Sequence, residues 1–264
     1  MIQFEAIQSG SSGNCILIRD EETCVLVDAG ISCKRITDEL KALGIDPREI
    51  QGIFVTHEHI DHVAGLPLLA VKFQIPIYTS EGTFYRIEHS EKDPEGRLKP
   101  LFRAVCPGER FTIRSFAVTP FSTFHDALEP LAFRFENADK AFAVFTDSGS
   151  FTDETVRLLS DLDGALLESN HDIHMLEVGP YPYELKRRIL SGMGHLSNDA
   201  CADLIQRIYS PRLKMLMLGH ISENNNYPDI VRVTMENRLR EMGVLDQVSL
   251  YVAERGVKTP LFTL

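Results

Sequence analysis

The amino-acid sequence predicts an α/β protein in which β-sheets pack together and helices cover their outer faces. Short apolar runs of strand length alternate with segments of helical spacing, and both kinds occur in each half of the chain. The hydrophobic fraction, 44% of 264 residues, is enough to build a large core. No repeat or linker-like run interrupts the chain, so we expect a single domain over residues 1–264.

The first half alternates predicted strands with predicted helices. Continuous apolar runs predict buried strands over residues 24–28, 52–56 and 75–78. Helical spacing predicts one helix over residues 36–43, which Gly44 ends, and another over residues 63–73. A polar stretch with Pro and Gly over residues 88–99 indicates a loop.

The second half continues the same alternation. Apolar segments predict strands over residues 110–113, 116–121, 132–136, 141–146, 164–168 and 214–218. Helices are expected over residues 152–159, 197–209 and 230–242. Thr152 is a candidate N-cap, with Thr155 at the capping-partner position left unused.

Charge and apolar patterning restrict the function classes. The net charge of −11 argues against non-specific coating of nucleic acid, because that binding depends on Lys and Arg displacing counterions. The negative charge does not exclude a nucleic-acid substrate that is held by a local basic patch. It also fits a site rich in carboxylates and metal ions, where bound cations offset part of the formal charge. No apolar run approaches the roughly 18 residues of a membrane span, and the first residues lack a secretory pattern, so we expect a cytoplasmic protein.

Five cysteines are present, an odd number, and no pair has the close spacing of a zinc knuckle. They are expected to be reduced thiols that fill the core.

The densest group of metal-binding side chains directly follows the predicted strand at residues 52–56. Four candidate ligands fall within six residues: His57, His59, Asp61 and His62. A strand end fixes the backbone, and the turn after it can aim alternate side chains into one cavity. Imidazole and carboxylate bind zinc, iron and manganese alike, so the pattern predicts metal ions without naming the element.

This H-x-H-x-D-H loop resembles the signature of the metallo-β-lactamase-fold hydrolases. The resemblance implies an αββα sandwich, with two packed mixed β-sheets and outer helices, that holds two divalent metal ions. It implies three further ligands that follow later predicted strands: His125, Asp147 and His220. One ion would then lie on His57, His59, His125 and Asp147, and the other on Asp61, His62, His220 and Asp147.

Shorter motifs resemble the WalJ (YycJ) group of bacterial proteins within this family. They cover residues 9–14, 168–172, 179–183, 194–198 and 219–222, and none is recognised after about Pro228. Members of the group are regarded as nucleases, and a 5′-to-3′ DNA exonuclease activity is assigned to a representative. The resemblance therefore implies a nucleic-acid substrate. The residues alone do not distinguish DNA from RNA as the substrate, or endonuclease from exonuclease cleavage.

The expected reaction is hydrolysis of a phosphodiester. Two ions about 3.5–4 Å apart can hold a metal-bound hydroxide as nucleophile and clamp both attacking and leaving oxygens. The leaving alkoxide then needs a proton, and we assign His195 as the general acid with Glu168 as its orienting partner. Asp61 is assigned a catalytic role besides its role as a metal ligand.

Substrate contacts are expected from two loops. Small residues at 9–14 can form a backbone nest for a phosphate, which with the resemblance makes Ser11, Ser12 and Asn14 candidates. Asn170, in the motif at residues 168–172, is a fourth. The basic run at residues 186–188 follows two tyrosines and could either contact phosphates or be solvated surface.

Other reactions remain alternatives. A small-molecule thioester or lactone hydrolase of the same fold is the first, because Asp147 also suits thioesterases. Many zinc β-lactamases have Cys at that position, which argues against a β-lactamase. A di-iron oxidoreductase typically has Glu where this chain has His59, and a purely regulatory metal protein would not need metal ligands for its cellular role. The pair of Glu168 and His195 favours the phosphodiesterase, and oligomeric state is not predicted.

Overall fold

Two seven-stranded β-sheets face each other in the computed structural model, which describes residues 1–90 and 95–264. The order of strands in the first sheet is β14-β1-β2-β3-β4-β5-β6. These strands are β1 (Gln3–Gln8), β2 (Cys15–Arg19), β3 (Cys24–Val27), β4 (Gly52–Phe54), β5 (Ile77–Thr79), β6 (Phe102–Ala104) and β14 (Phe262–Thr263).

The second sheet has the order β13-β12-β11-β10-β9-β8-β7. Its strands are β7 (Phe111–Ile113), β8 (Phe116–Ser122), β9 (Leu131–Glu136), β10 (Ala141–Phe145), β11 (Gly164–Glu168), β12 (Met215–Gly219) and β13 (Ser249–Val252).

Each sheet is antiparallel on one side and parallel on the other. In the first sheet β3, β4, β5 and β6 run parallel, and in the second sheet β10, β11, β12 and β13 do so. Parallel strands all end at the same edge of their sheet, and open α/β sheets bind ligands outside that edge. The loops that follow these strands are therefore where functional side chains are expected to meet.

Helices cover the outer faces of both sheets. The α-helices of the described residues are α1 (Cys33–Ala42), α2 (Ile60–Val63), α3 (Leu66–Phe73), α4 (Glu81–Glu88), α5 (Asp153–Leu159), α6 (Ile173–Val178), α7 (Tyr183–Leu190), α8 (Asn198–Ile208) and α9 (Pro228–Glu241). Residues of α1 and α3 share one hydrophobic cluster with the first sheet, and residues of α5, α8 and α9 share another with the second sheet. The predicted αββα arrangement is confirmed.

A third cluster, rich in aromatic rings, joins the inner faces of the two sheets. Phe4 of the first sheet stacks on Phe142 of the second with 4.2 Å between ring centroids. Phe54 makes edge contacts with Phe133 and Phe135 across the same interface. All five rings are fully buried. Burial of each contributes roughly 1.5–3 kcal/mol, so the contact between sheets is a major source of stability.

Several local predictions need correction. The helix expected over residues 63–73 begins later, as α3 at Leu66, and Val63 instead ends the separate short helix α2. Thr155 is used as a capping partner, because its hydroxyl accepts from the Thr152 backbone N–H. Of the loop predicted over residues 88–99, positions 91–94 lie outside the described residues. No helix in the described ranges has the length and hydropathy of a membrane span.

The break between α2 and α3 has a steric cause. The Gly65 N–H donates to the Ala29 carbonyl at 2.8 Å, which presses this backbone against the loop after β3. A Cβ atom at Gly65 would lie 2.0 Å from the Ile31 carbonyl oxygen, closer than any real contact. Pro67 then occupies the first turn of α3, where its missing N–H has no cost. The loop at residues 57–62 is thereby held against the loop after β3.

Replacement Gly65→Ala should lower the free energy of unfolding by roughly 3 kcal/mol, since the obstructing atom is backbone and cannot rotate away. Chemical denaturation measures the change. Gly192→Ala is the matched control, because its Cβ would meet nothing closer than Ser150 Oγ at 3.7 Å. Equal unfolding free energies for the two variants would contradict the steric account.

Candidate metal centre

Most of the predicted site residues lie at or just after strand ends, on one edge of the sandwich. The loop at residues 57–62 follows β4, His125 follows β8, Asp147 follows β10, Glu168 ends β11 and His220 follows β12. One sheet therefore supplies the histidine loop, and the other supplies the remaining ligands. The residues from both sheets meet in one site because the two sheets pack face to face.

Three residues of this edge have left-handed backbone conformations. The φ angles are 61° at Asp28, 56° at Asp147 and 55° at His220. Such angles are uncommon for residues other than glycine and cluster at functional sites, where surrounding contacts hold them. Here the Asp28 N–H donates to the Phe54 carbonyl at 2.8 Å, and the His220 N–H donates to Ser9 Oγ at 2.9 Å.

All seven predicted metal ligands come together. Ligand atoms lie within 4.8 Å of one another in four overlapping groups: His57, His59 and His125; His57, His62 and Asp147; Asp61, His62 and His220; and Asp147, Glu168, His195 and His220. Asp147 lies near predicted ligands of both sets, with Oδ2 at 3.5 Å from His62 Nε2, and with Oδ1 at 3.4 Å from His220 Nε2 and 3.8 Å from His125 Nε2. The division of these ligands between two ions stays a prediction, and one group joins His57 with His62, which the prediction assigns to different ions.

Two buried atoms in this cluster make no hydrogen bond. They are Asp147 Oδ2 and His220 Nε2, and both residues are almost completely inaccessible to solvent. An unpartnered buried polar atom costs about 1–3 kcal/mol, so native proteins supply such atoms with a partner. A divalent cation between these side chains would serve both atoms. The donor set, five imidazoles and two carboxylates, therefore fits divalent metal ions.

The surroundings shift the pKa values of the buried histidines in opposite directions. Burial, with the neighbouring imidazoles of His62 and His125, lowers the pKa of His57 well below its ordinary value, which favours the neutral form that binds metals. Burial alone would lower the pKa of His220, but Asp147 and Glu168 outweigh it and raise that pKa to about 9. Cations that replace such protons would release them on binding.

Asp28 and Thr56 orient the histidine loop, and the sequence argument gave neither a role. Asp28 Oδ2 lies 2.8 Å from His62 Nδ1, so that the opposite nitrogen, Nε2, faces Asp147 and the Asn14 amide. The Thr56 hydroxyl lies 3.0 Å from Asp28 Oδ2 and 3.0 Å from His57 Nδ1. It therefore links the His57 ring to Asp28, the carboxylate that contacts His62. The available signal for Asp28 was an acid at the end of a buried strand.

Glu168 contacts two histidines through the same oxygen. Its Oε1 atom lies 2.7 Å from His195 Nδ1 and 2.8 Å from His220 Nδ1. Since a carboxylate only accepts, both rings donate from Nδ1, and their Nε2 atoms are left for other partners. Burial opposes charge on His195, but Glu168 outweighs it and raises the pKa of that imidazole. The sequence predicted the pair of Glu168 and His195, but it did not predict the contact of Glu168 with His220.

The predicted substrate contacts are divided between the cavity and its support. A cavity of about 260 Å³ opens at the site, and Ser11 and Asn170 line it. Ser12 does not line it, and its hydroxyl accepts from Gln8 Nε2. Asn14 is buried behind the loop, where its amide nitrogen lies 3.0 Å from His62 Nε2 and its oxygen accepts from the Gly10 N–H. Asn14 thus holds the histidine loop at residues 57–62 in place.

Replacement Asp147→Asn should reduce the bound divalent ions from two per chain to one or none, because the variant loses the charge that both ligand sets share. Asn tolerates the left-handed backbone at this position, so the fold should persist. Elemental analysis of the purified variant measures the metal content. His174→Ala is the control, since that side chain is 84% exposed. Retention of both ions in Asp147→Asn would exclude the bridging role.

Replacement Asp28→Asn should weaken metal binding by about 10–100-fold, the usual cost of losing a carboxylate that orients a ligating histidine. Competition against a chelating dye measures the affinity. Asp139→Asn, on an exposed bend between β9 and β10, should leave the affinity unchanged. An unaltered affinity in Asp28→Asn would mean that His62 is oriented by its other contacts.

Comparison with known proteins places the chain in a family. The family model of the metallo-beta-lactamase superfamily matches residues 9–157. The chain is 35% identical to Exodeoxyribonuclease WalJ of Streptococcus pneumoniae, over 98% of this chain and 97% of that protein. It is 34% identical to Exodeoxyribonuclease YycJ of Bacillus anthracis, over 92% of this chain and 90% of that protein.

A solved structure agrees with the fold. Unliganded yeast PDE1 superposes with a TM-score of 0.73 over 99% of each chain, at 13% sequence identity. The sandwich architecture is thus shared at low sequence identity, while the two relatives that are 34–35% identical to the chain are bacterial proteins. The chain belongs to the metallo-β-lactamase superfamily.

Proposed function

We propose that the protein is a metal-dependent nuclease that hydrolyses phosphodiester bonds in DNA. The observation that carries this proposal is the contact of Glu168 Oε1 with His195 Nδ1 at 2.7 Å, beside the metal-binding clusters. Such a pair supplies the proton that a departing alkoxide needs, which hydrolysis of a thioester needs far less. The exodeoxyribonuclease relatives, alike over nearly the whole chain, support the same substrate class.

The division of labour among the residues follows from their contacts. Bound divalent ions would lower the pKa of water and offset the charge of the phosphodiester. The residues expected to hold them are His57, His59, Asp61, His62, His125, Asp147 and His220. His195 lines the cavity and is 16% exposed, so its Nε2 atom can pass a proton to the leaving oxygen while Nδ1 stays on Glu168.

Glu168 has a second task in this scheme. It is fully buried and receives the Nδ1 hydrogens of both His195 and His220, so it sets the tautomer of the acid and of a metal ligand together. Asp61 lines the cavity, and its Oδ2 atom lies 3.5 Å from His62 Nε2, which suits its proposed double role at the metal and the nucleophile. Ser11 and Asn170 are positioned to contact substrate.

The finer features of the activity follow the resemblance to the WalJ group. We propose 5′-to-3′ exonuclease action on DNA in the cytoplasm of a bacterium, with zinc, manganese or iron as the metal. The relatives are bacterial exodeoxyribonucleases, and all five cysteines are free thiols, as a reducing compartment requires. End-labelled DNA with either end blocked would establish the direction.

Replacement His195→Ala should slow cleavage of end-labelled DNA by at least about a hundredfold, the usual cost of lost acid catalysis, with the metal content unchanged. His174→Ala is the control, because that residue is exposed and outside the cavity. RNA and a thioester are assayed in parallel with wild-type protein. Turnover of the thioester alone would overturn the nuclease and favour the small-molecule hydrolase. Loss of metal in His195→Ala would make His195 a ligand instead.

A further inference from the structure

One wall of the active-site cavity is formed by helix α7. Residues Leu185, Arg188 and Ile189, which share one face of this helix, line the cavity. Among the described residues that line it, Arg188 is the one with a permanently charged cationic side chain. Most other charged groups of the cavity are carboxylates, in a chain whose net charge is −11. An anionic substrate therefore meets a single guanidinium there.

The neighbouring basic residues of α7 are directed elsewhere. Lys186 Nζ donates to the Glu177 carbonyl at 2.8 Å, and Arg187 lies over the ring of Tyr183 at 5.8 Å from its centroid. Neither residue lines the cavity. The basic run that the sequence shows is thus divided by helical geometry, with Arg188 inside and its two predecessors outside.

Arg188 is held by a carboxylate that adjoins the metal site. Its Nη1 atom donates to Asp126 Oδ2 at 2.9 Å, and Asp126 Oδ1 lies 3.2 Å from His125 Nε2. Arg188 is 57% exposed and Asp126 is 31% exposed, so water and ligands can reach this ion pair. A partly exposed pair of this kind is worth at most about 1 kcal/mol, and a stronger anion can replace the carboxylate.

We propose that Arg188 binds a phosphate group of the nucleic-acid substrate, and that Asp126 holds its guanidinium in place until substrate enters. The proposal rests on the proposed nuclease function and names the group that positions the substrate. A guanidinium matches phosphate by two parallel hydrogen bonds, which a lysine cannot make. When a phosphate replaces the Asp126 carboxylate as the partner of Arg188, the nucleic-acid strand would lie beside His125 and so beside the predicted metal ions.

The test measures binding separately from cleavage. A fluorescent single-stranded DNA oligonucleotide with phosphorothioate linkages is titrated with metal-loaded protein, and anisotropy gives the Kd. Arg188→Ala should raise the Kd by about tenfold or more, and the slope of log Kd against log salt should fall by about 0.7, the value of one phosphate contact on a single strand. Arg188→Lys should recover the salt slope but only part of the affinity.

Arg187→Ala is the matched control, one residue along the same helix but outside the cavity. It should change the Kd less than about threefold, and thermal unfolding should show both variants folded. An unchanged Kd in Arg188→Ala, or equal losses in both variants, would overturn the proposal. If wild-type protein binds the oligonucleotide through Arg188 but cleaves no phosphodiester with any metal, the nuclease function fails while the phosphate contact stands.

Discussion

The face-to-face packing of the two sheets is the constraint on which the rest of the structure depends. The aromatic layer around Phe4, Phe54 and Phe142 sets how one sheet lies on the other. That packing aligns the carboxyl ends of two sets of parallel strands at one edge. The histidine loop comes from the first sheet, and Asp147, Glu168 and His220 come from the second. Neither sheet alone holds a complete set of ligands, so the centre is a property of the interface between them.

This edge of the sandwich concentrates buried carboxylates and imidazoles. Asp28, Asp147 and Glu168 are each buried, and burial penalises the ionised form of each. Nearby imidazoles offset burial only in part at Asp28, whose pKa is raised, but more than offset it at Asp147 and Glu168, whose pKa values are lowered. The left-handed backbones at Asp28 and Asp147 add to the cost. A stable fold tolerates such a region when binding returns the free energy, as metals do for structures that assemble their sites on folding.

The loop at residues 57–62 was predictable because its four candidate ligands fall within six residues and a buried strand precedes them. Partners that are distant in sequence were not: Asp28 and His62 meet only because β3 and β4 are neighbours in the sheet. Asn14 was expected at the substrate and lies behind His62 instead, since the loop after β1 folds under the site. Strands β1 and β2 were missed as well, and the fold class came from the alternation of elements and the likeness in motif.

The hydrogen bond from the His220 N–H to Ser9 Oγ joins residues 211 positions apart in the chain. Closing so large a loop is entropically costly and comes late in folding, as do contacts of high sequence separation in general. The first half of a growing polypeptide therefore presents only the histidine loop and His125, without Asp147 or His220 to complete either predicted ion site. Tight metal binding therefore requires that the last third of the chain has been synthesised and has docked. The metal content of the protein then indicates that folding is complete.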